Sequence, residues 1–149
     1  MGTIIAVCIS REKGTAKYPV NSARFIENHG LEHDAHAGSW HRQVSLLSLE
    51  KIEGFKKRGA IVQFGDFGEN LVVSGIDFAT FPVGTRLSAR DVLLEISQIG
   101  KECHTHCAIY HSMGECIMPT QGVFAKVLYG GILKAGDVME VETGGRENG

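Results

Sequence analysis

At 149 residues the chain suffices for one domain with a proper core and is too short for two comfortable ones. A formal net charge of −2 argues against a nucleic-acid groove or an anionic membrane surface as partner. No apolar run reaches the ~20 residues that a membrane span requires, and nineteen dispersed glycines against three prolines suit many short strands with tight corners.

In chain order, the segment Met1 to Cys8 lacks the basic start and cleavage site of a signal peptide and reads as a strand. A cytoplasmic location is expected, where thiols stay reduced and a structural disulfide is not expected. The β-branched run Ile4 to Ile9 predicts the first strand, with Cys8 as a small buried hydrophobe. Pro19 to Gly30, with Asn21 as cap and Ala23, Phe25 and Ile26 enclosed, predicts a short helix. His33 to Arg42 is polar and aperiodic, hence a loop, and Val44 to Leu47 predicts a strand. The clearest helix follows: Ser48 caps, Glu50 lies in the first turn, and Leu49, Ile52 and Phe55 share a face. Lys56, Lys57 and Arg58 suit its negative end better than a binding patch, and Gly59 stops it.

Further strands are expected at Ala60 to Phe64, Glu69 to Ser74, Thr85 to Leu87, Val92 to Ile99 and Val138 to Glu142. A second helix is predicted with Thr120 as cap, Val123, Phe124, Val127 and Leu128 at helical spacing, and Gly130-Gly131 as stop. Leu87-Ser88-Ala89-Arg90-Asp91-Val92 echoes Leu133-Lys134-Ala135-Gly136-Asp137-Val138, which reads as a repeated hairpin corner and not as duplication. Many short strands and few helices predict a mainly β fold, a closed or strongly curved β-barrel. The expected organisation is a single domain over residues 1–142 with a frayed tail, 143–149.

Three stretches carry candidate chemistry. Three of the four cysteines fall at Cys103, Cys107 and Cys116, interleaved with His104, His106 and His111 and preceded by Lys101. Cationic neighbours favour the thiolate, the form that acts as nucleophile or soft-metal ligand. The spacing does not match a four-ligand zinc module, although Cys103, Cys107 and a histidine together could hold a metal. Crowding by cations rather than apolar residues favours a functional thiol over a structural cluster, and Cys116, beside Glu115, has the least electropositive setting. The second stretch, Phe64-Gly65-Asp66-Phe67-Gly68-Glu69-Asn70-Leu71, predicts a turn with exposed amides and a projecting carboxamide able to bond a polar ligand. Acid-and-glycine turns are common, so this signal is weak by itself. In the third, His33-Asp34-Ala35-His36-Ala37-Gly38 through Trp40, His41 and Arg42, a histidine–aspartate loop can ligate metal and Arg42 can grip an oxyanion bidentately. Exposed loop histidines are usually only solvated.

In combination these stretches are more specific. Asp34-Ala35-His36-Ala37-Gly38, Arg42-Gln43-Val44-Ser45-Leu46-Leu47, Gly65-Asp66-Phe67-Gly68-Glu69-Asn70-Leu71, Gly100-Lys101-Glu102-Cys103-His104 through Cys107, Cys116-Ile117-Met118-Pro119 and Gly122-Val123-Phe124-Ala125 occur in this order. From Thr3 to Val141 the chain resembles a stand-alone bacterial MOSC domain, the module named for the C-terminal part of molybdenum cofactor sulfurases. The resemblance implies a barrel of the type seen in the pyruvate kinase barrel domain. It also implies molybdenum cofactor binding, and carriage of sulfur as a cysteine persulfide toward metal–sulfur centres.

On this resemblance the key sulfur, and the molybdenum ligand where metal is bound, falls on Cys107, within His106-Cys107-Ala108-Ile109. Cys103 is the contender and could resolve the persulfide as a transient disulfide, while Lys101, His104 and His106 favour the anion. Asn70, Glu69, Asp66 and Arg42 are the expected cofactor-binding residues. The implied partners are a cysteine desulfurase or molybdenum cofactor enzymes, with no nucleic acid and no membrane, and a homodimer would complete a pocket. His33 stands where small relatives often have glycine. On this resemblance the chain is expected to be without the N-terminal barrel of larger MOSC reductases and the desulfurase domain of the sulfurases, and no lysine here carries a recognisable pyridoxal phosphate motif. Sulfurtransferase-like transfer is the leading activity. The alternatives are a small molybdenum-dependent reductase and a non-catalytic zinc-stabilised binding module.

Overall fold

The computed structural model describes residues 1–12, 16–100 and 121–142. The first strand, β1 (Gly2–Ile9), is followed by β2 (Tyr18–Val20), β3 (Ser22–Ile26) and β4 (Gly30–Leu31). After a loop come β5 (Val44–Ser48), α1 (Leu49–Lys57), β6 (Leu71–Ser74) and a 3-10 turn at Phe78–Thr80. The remaining strands are β7 (Arg86–Ala89), β8 (Val92–Ile99), β9 (Val123–Tyr129), β10 (Gly131–Lys134) and β11 (Val138–Glu142). Seven of them close into a barrel in the order β1-β6-β5-β9-β8-β7-β11, with β11 returning to β1 through Gly2↔Met139 and Thr3↔Val138. Strand β2 extends the sheet from the far end of β1, and β10-β3-β4 form a separate three-stranded sheet.

Two cores result, because several strands are buried on both faces. The barrel interior holds Ile4, Val7, Leu46, Leu71, Val73, Leu87, Leu94, Ile96, Val123, Ala125 and Val127, among others. The opposite faces of β1, β5 and β6 present Ala6, Cys8, Leu47 and Val72 to an outer core completed by Ile52 and Phe55 of α1. Helix α1 serves as the crossover that joins β5 to β6 in parallel, the other barrel pairings being antiparallel. A register slip between Ile4 and Ala6 bends β1, so that one strand serves both cores. Among the described residues, no helix is long and apolar enough to cross a membrane.

Strands β1, β5, β8 and β11 and helix α1 agree with the sequence expectation to within one or two residues. Three expectations are corrected. Residues 19–30 hold β3 and β4 instead of a helix: Phe25 is sealed while Ser22 and Arg24 face water, a period of two. The helix expected beyond Thr120 is β9, where Val123, Ala125 and Val127 point inward in alternation and Gly130 turns the chain into β10. Thr120 itself lies outside the described residues. Residues 60–64 pair with no strand among the described residues; Ala60 and Val62 cap the outer core while Ile61 is 98% exposed.

The echoed motifs are two turns, one joining β7 to β8 and one joining β10 to β11, and they touch. Arg90 and Gly136 both take left-handed backbone at their corners (φ 51° and 98°), and Arg90 Nε donates to Asp137 Oδ1 at 2.8 Å.

Candidate functional site

Alternation along β5 sends Val44 and Leu46 into the barrel and Ser45 outward, paired in register with Phe124 of β9. Two loops pack over this outward face. One contains residues 64–70 and the other residues 33–43. Together with Lys17 they border an open cleft lined by Lys17, His36, Trp40, Arg42, Ser45, Phe67, Gly68, Asn70 and Phe124.

The 64–70 loop is organised from inside by a carboxyl group. Glu69 is wholly buried and accepts the Gly65 N–H at 2.8 Å and the Phe67 N–H at 3.0 Å. Burial pushes this carboxyl up to about 7; the Gly65 and Phe67 amides oppose that rise, and the nearby Asp66 charge adds to it. Gly65 takes φ +98° with its Cα against the Lys17 carbonyl, where a Cβ would lie 2.1 Å from the oxygen. The loop therefore docks on residue 17 at a position only glycine can fill.

Asn70 is turned inward and does not project. Its Oδ1 accepts the Ser45 N–H at 2.9 Å, and its Nδ2 donates to the Cys8 carbonyl at 3.0 Å and to Asp34 Oδ2 at 3.2 Å. It staples β1, β5 and the 33–43 loop together behind the cleft. Asp34 is sealed as well, its Oδ1 accepting the Ser10 N–H at 3.0 Å and the Lys17 ammonium at 2.9 Å. Lys17 Nζ also meets His36 Nδ1 at 2.9 Å.

Arg42 contributes a half-buried cation to the cleft. Gln98 Oε1 accepts its Nε–H at 3.1 Å, and the guanidinium lies 5.9 Å from the Trp40 ring centroid and 5.4 Å from that of Phe124. Among the described residues no carboxylate pairs with it. Beside it, the Ser45 hydroxyl is buried and has no hydrogen-bond partner among the described residues. A buried unpaired hydroxyl is costly unless something else completes it. An uncompensated guanidinium and an orphaned hydroxyl in one cleft form a donor set suited to an oxyanion.

Of the residues expected from sequence, Arg42 and Asn70 line the cleft. Glu69 lies beneath its wall, and Asp66 closes the loop's outer side by accepting the Gln63 N–H at 2.8 Å. Lys101, Cys103, His104, His106 and Cys107 lie outside the described residues. The chain leaves β8 and enters β9 at a hydrogen-bonded pair, the Gly100 N–H donating to the Gly122 carbonyl at 2.6 Å, two residues from both Gln98 and Phe124. Cys8 is sealed, and burial, then the Glu69 charge, push its thiol up to about 12 despite Lys17, so it is chemically inert. His33 takes φ +70°, a left-handed conformation that glycine adopts without the steric cost a side chain brings.

Lys17 went unnoticed in the sequence, because a single lysine between a glycine-bearing loop and a tyrosine carries no local signal. Ser45 was hidden by its strand, where a serine among Val, Leu and Leu reads as a neutral sheet residue. Long-range contacts reveal them, Asp34 that of Lys17 and Asn70 that of Ser45.

A closed barrel with a flanking helix and an oxyanion-friendly cleft on its outer face defines the class of this domain. The family model described as the MOSC domain matches residues 33–140, and the chain belongs to that family. Among solved structures it is similar to YuaD from Bacillus subtilis, at 18% identity over 95% of this chain and 96% of that one, with a TM-score of 0.71. It is also similar to YiiM from Geobacillus stearothermophilus, at 18% identity over 95% and 75% of the two chains, with a TM-score of 0.72. YiiM from Escherichia coli gives 17% identity over 96% and 70%, with a TM-score of 0.64. At these identities the likeness concerns the fold alone. No curated protein matches the chain by sequence.

Proposed function

We propose that this MOSC protein binds the molybdenum cofactor and carries sulfur on Cys107 as a persulfide for delivery to a thiophilic centre. The observation that carries the reading is the Arg42–Ser45 pair: among the described residues, a cation without a carboxylate and a buried hydroxyl without a partner, in one cleft. These residues fit the oxyanionic end of such a cofactor, with Arg42 and Ser45 as donors and Asn70, Phe67 and Phe124 as wall. When bound, the cofactor would supply a molybdenum centre whose softness matches sulfur. The chain's own contribution is a thiolate at Cys107, in the segment between Gly100 and Gly122. It attacks the sulfane sulfur of a donor persulfide, such as that of a cysteine desulfurase; a new S–S bond forms, and the donor's S–S bond breaks with its electron pair leaving on the donor thiolate.

The test is retention of cofactor. Protein purified from cells that make the cofactor should carry molybdenum and pterin, and Arg42→Gln should lose most of both while keeping its folded circular dichroism. Wild-type protein free of pterin, or an Arg42→Gln variant that retains wild-type loading, would contradict the assignment.

A further inference from the structure

Three aromatic side chains, Trp40, Phe67 and Phe124, line the cleft, and no acidic one does among the described residues. Phe67 and Phe124 are buried members of the outer core, so packing accounts for them. Trp40 is 41% exposed and belongs to neither core. A lone exposed ring needs no explanation by itself. This one, however, is held still. Its Nε1–H donates to the His36 carbonyl at 3.0 Å, and its backbone N–H donates to the Gly38 carbonyl at 2.9 Å. The His41 ring meets it edge-on, with centroids 5.8 Å apart and 68° between the planes, and the Arg42 guanidinium lies 5.9 Å from its centroid. The one polar atom of the indole is therefore already satisfied, and what Trp40 offers a ligand is aromatic carbon. A ring fixed before binding loses little conformational entropy when a ligand meets it.

We propose that Trp40 is a stacking platform, and that the cleft selects ligands that join a flat heteroaromatic ring to an oxyanion. The charge of the cleft suits the anionic part: Lys17 and Arg42 line it without an acidic neighbour among the described residues. The platform suits the flat part, because an indole face stacks on an electron-poor heterocycle whatever its substituents. With 5.9 Å between the indole centroid and the guanidinium, one small molecule reaches both. An anion without a ring would leave Trp40 unused, and a neutral ring would leave Arg42 unused. That the natural ring is a pterin rests on the cofactor reading above; the demand for a flat ring does not.

The experiment titrates the 15N-labelled full chain at neutral pH with 6-carboxypterin, a flat anion, with adenosine monophosphate, a flat anion that is no pterin, and with inorganic phosphate, an anion without a ring. Trp40 is the only tryptophan of the chain, so the single indole N–H resonance is its own. That resonance should move as 6-carboxypterin is added and saturate at the Kd that calorimetry gives. Trp40→Leu should weaken 6-carboxypterin on the order of tenfold. The same variant should weaken phosphate by no more than about threefold, the share owed to the lost contact with Arg42. Trp40→Phe, which keeps a flat ring, should restore most of the lost affinity. A wild-type indole resonance unmoved by both flat probes overturns the proposal, and that spectrum decides even if Trp40→Leu does not fold. Wild-type affinity for both flat probes in folded Trp40→Leu overturns it too, as does an equal loss for phosphate and the flat probes, which would mark a merely structural role. Trp40-dependent binding of adenosine monophosphate, with none of 6-carboxypterin, would uphold the platform and overturn the cofactor reading. Pterin retained equally by wild type and Trp40→Leu on purification would uphold that reading and overturn this inference.

Discussion

Lys17 and Asp34 form an ion pair from which water is excluded: Nζ lies 2.9 Å from Oδ1, and the two side chains are 1% and 0% exposed. The pair joins the strand-entry segment at residue 17 to the loop after β4, directly beneath the cleft. Removing one partner would leave the other charge buried and alone. Asp34→Ala should therefore cost about 3–5 kcal/mol of unfolding free energy, read by urea denaturation. The exposed pair of Arg24 and Glu32, 59% and 45% exposed, is the internal control. Arg24→Ala should change stability by less than about 1 kcal/mol. Equal effects from the two variants would refute the burial argument.

Glu69 makes a prediction about pH. Its carboxyl is raised from 4.5 to about 7 in the folded protein, chiefly by burial, so the native state holds this proton while the unfolded chain has released it. The stabilisation is full below about pH 4.5 and is lost as pH rises through about 7, a change on the order of 3 kcal/mol. Glu69→Gln keeps a neutral side chain at every pH. The difference in stability between wild type and Glu69→Gln should thus move against the wild type as pH rises across this window. A difference independent of pH would show that the two amide bonds, and not burial, govern this group.

Two glycines of the same loop separate backbone strain from steric fit. Gly65 and Gly68 both adopt left-handed backbone, at φ +98° and +82°, but a Cβ at Gly65 would strike the Lys17 carbonyl while one at Gly68 meets nothing within 4 Å. Gly68→Ala should cost about 1–2 kcal/mol, the strain alone. Gly65→Ala should cost about 3 kcal/mol or more and should also lower the retention of pterin, since the loop would lift from Lys17. Matching losses in thermal unfolding experiments would refute the docking role given to Gly65.

The barrel was legible where apolar residues rich in Ile and Val ran together, as at β1, where apolar and polar residues alternated, as along Leu94 to Gln98 of β8, and where a charged last turn framed a helix, as at α1. It was misread where apolar residues satisfied two periods at once. In β9, Val123, Phe124, Val127 and Leu128 fit a helical stripe, yet Phe124 belongs to the outer core and Val123 and Val127 to the inner one. A strand buried on both faces loses the alternation that identifies strands. Residues 60–64 show the reverse: Ala60 and Val62 alternate with exposed Ile61 because the segment lies over α1, without any ladder partner. For the site, Arg42 and Asn70 could be picked out by residue chemistry. Lys17 and Ser45 could not, because their roles come from contacts 17 and 25 positions distant in the chain, with Asp34 and Asn70 respectively. Asn70 also shows how a correct residue can carry an incorrect picture: the carboxamide belongs to the site, but as the staple behind it.

The central claim, that Cys107 carries the sulfur, is tested most directly by loading the protein from a cysteine desulfurase supplied with sulfur-labelled cysteine and mapping the label by mass spectrometry. The account predicts label on Cys107, none on the sealed Cys8, and its disappearance in Cys107→Ser. Label retained at full stoichiometry in Cys107→Ser would contradict it.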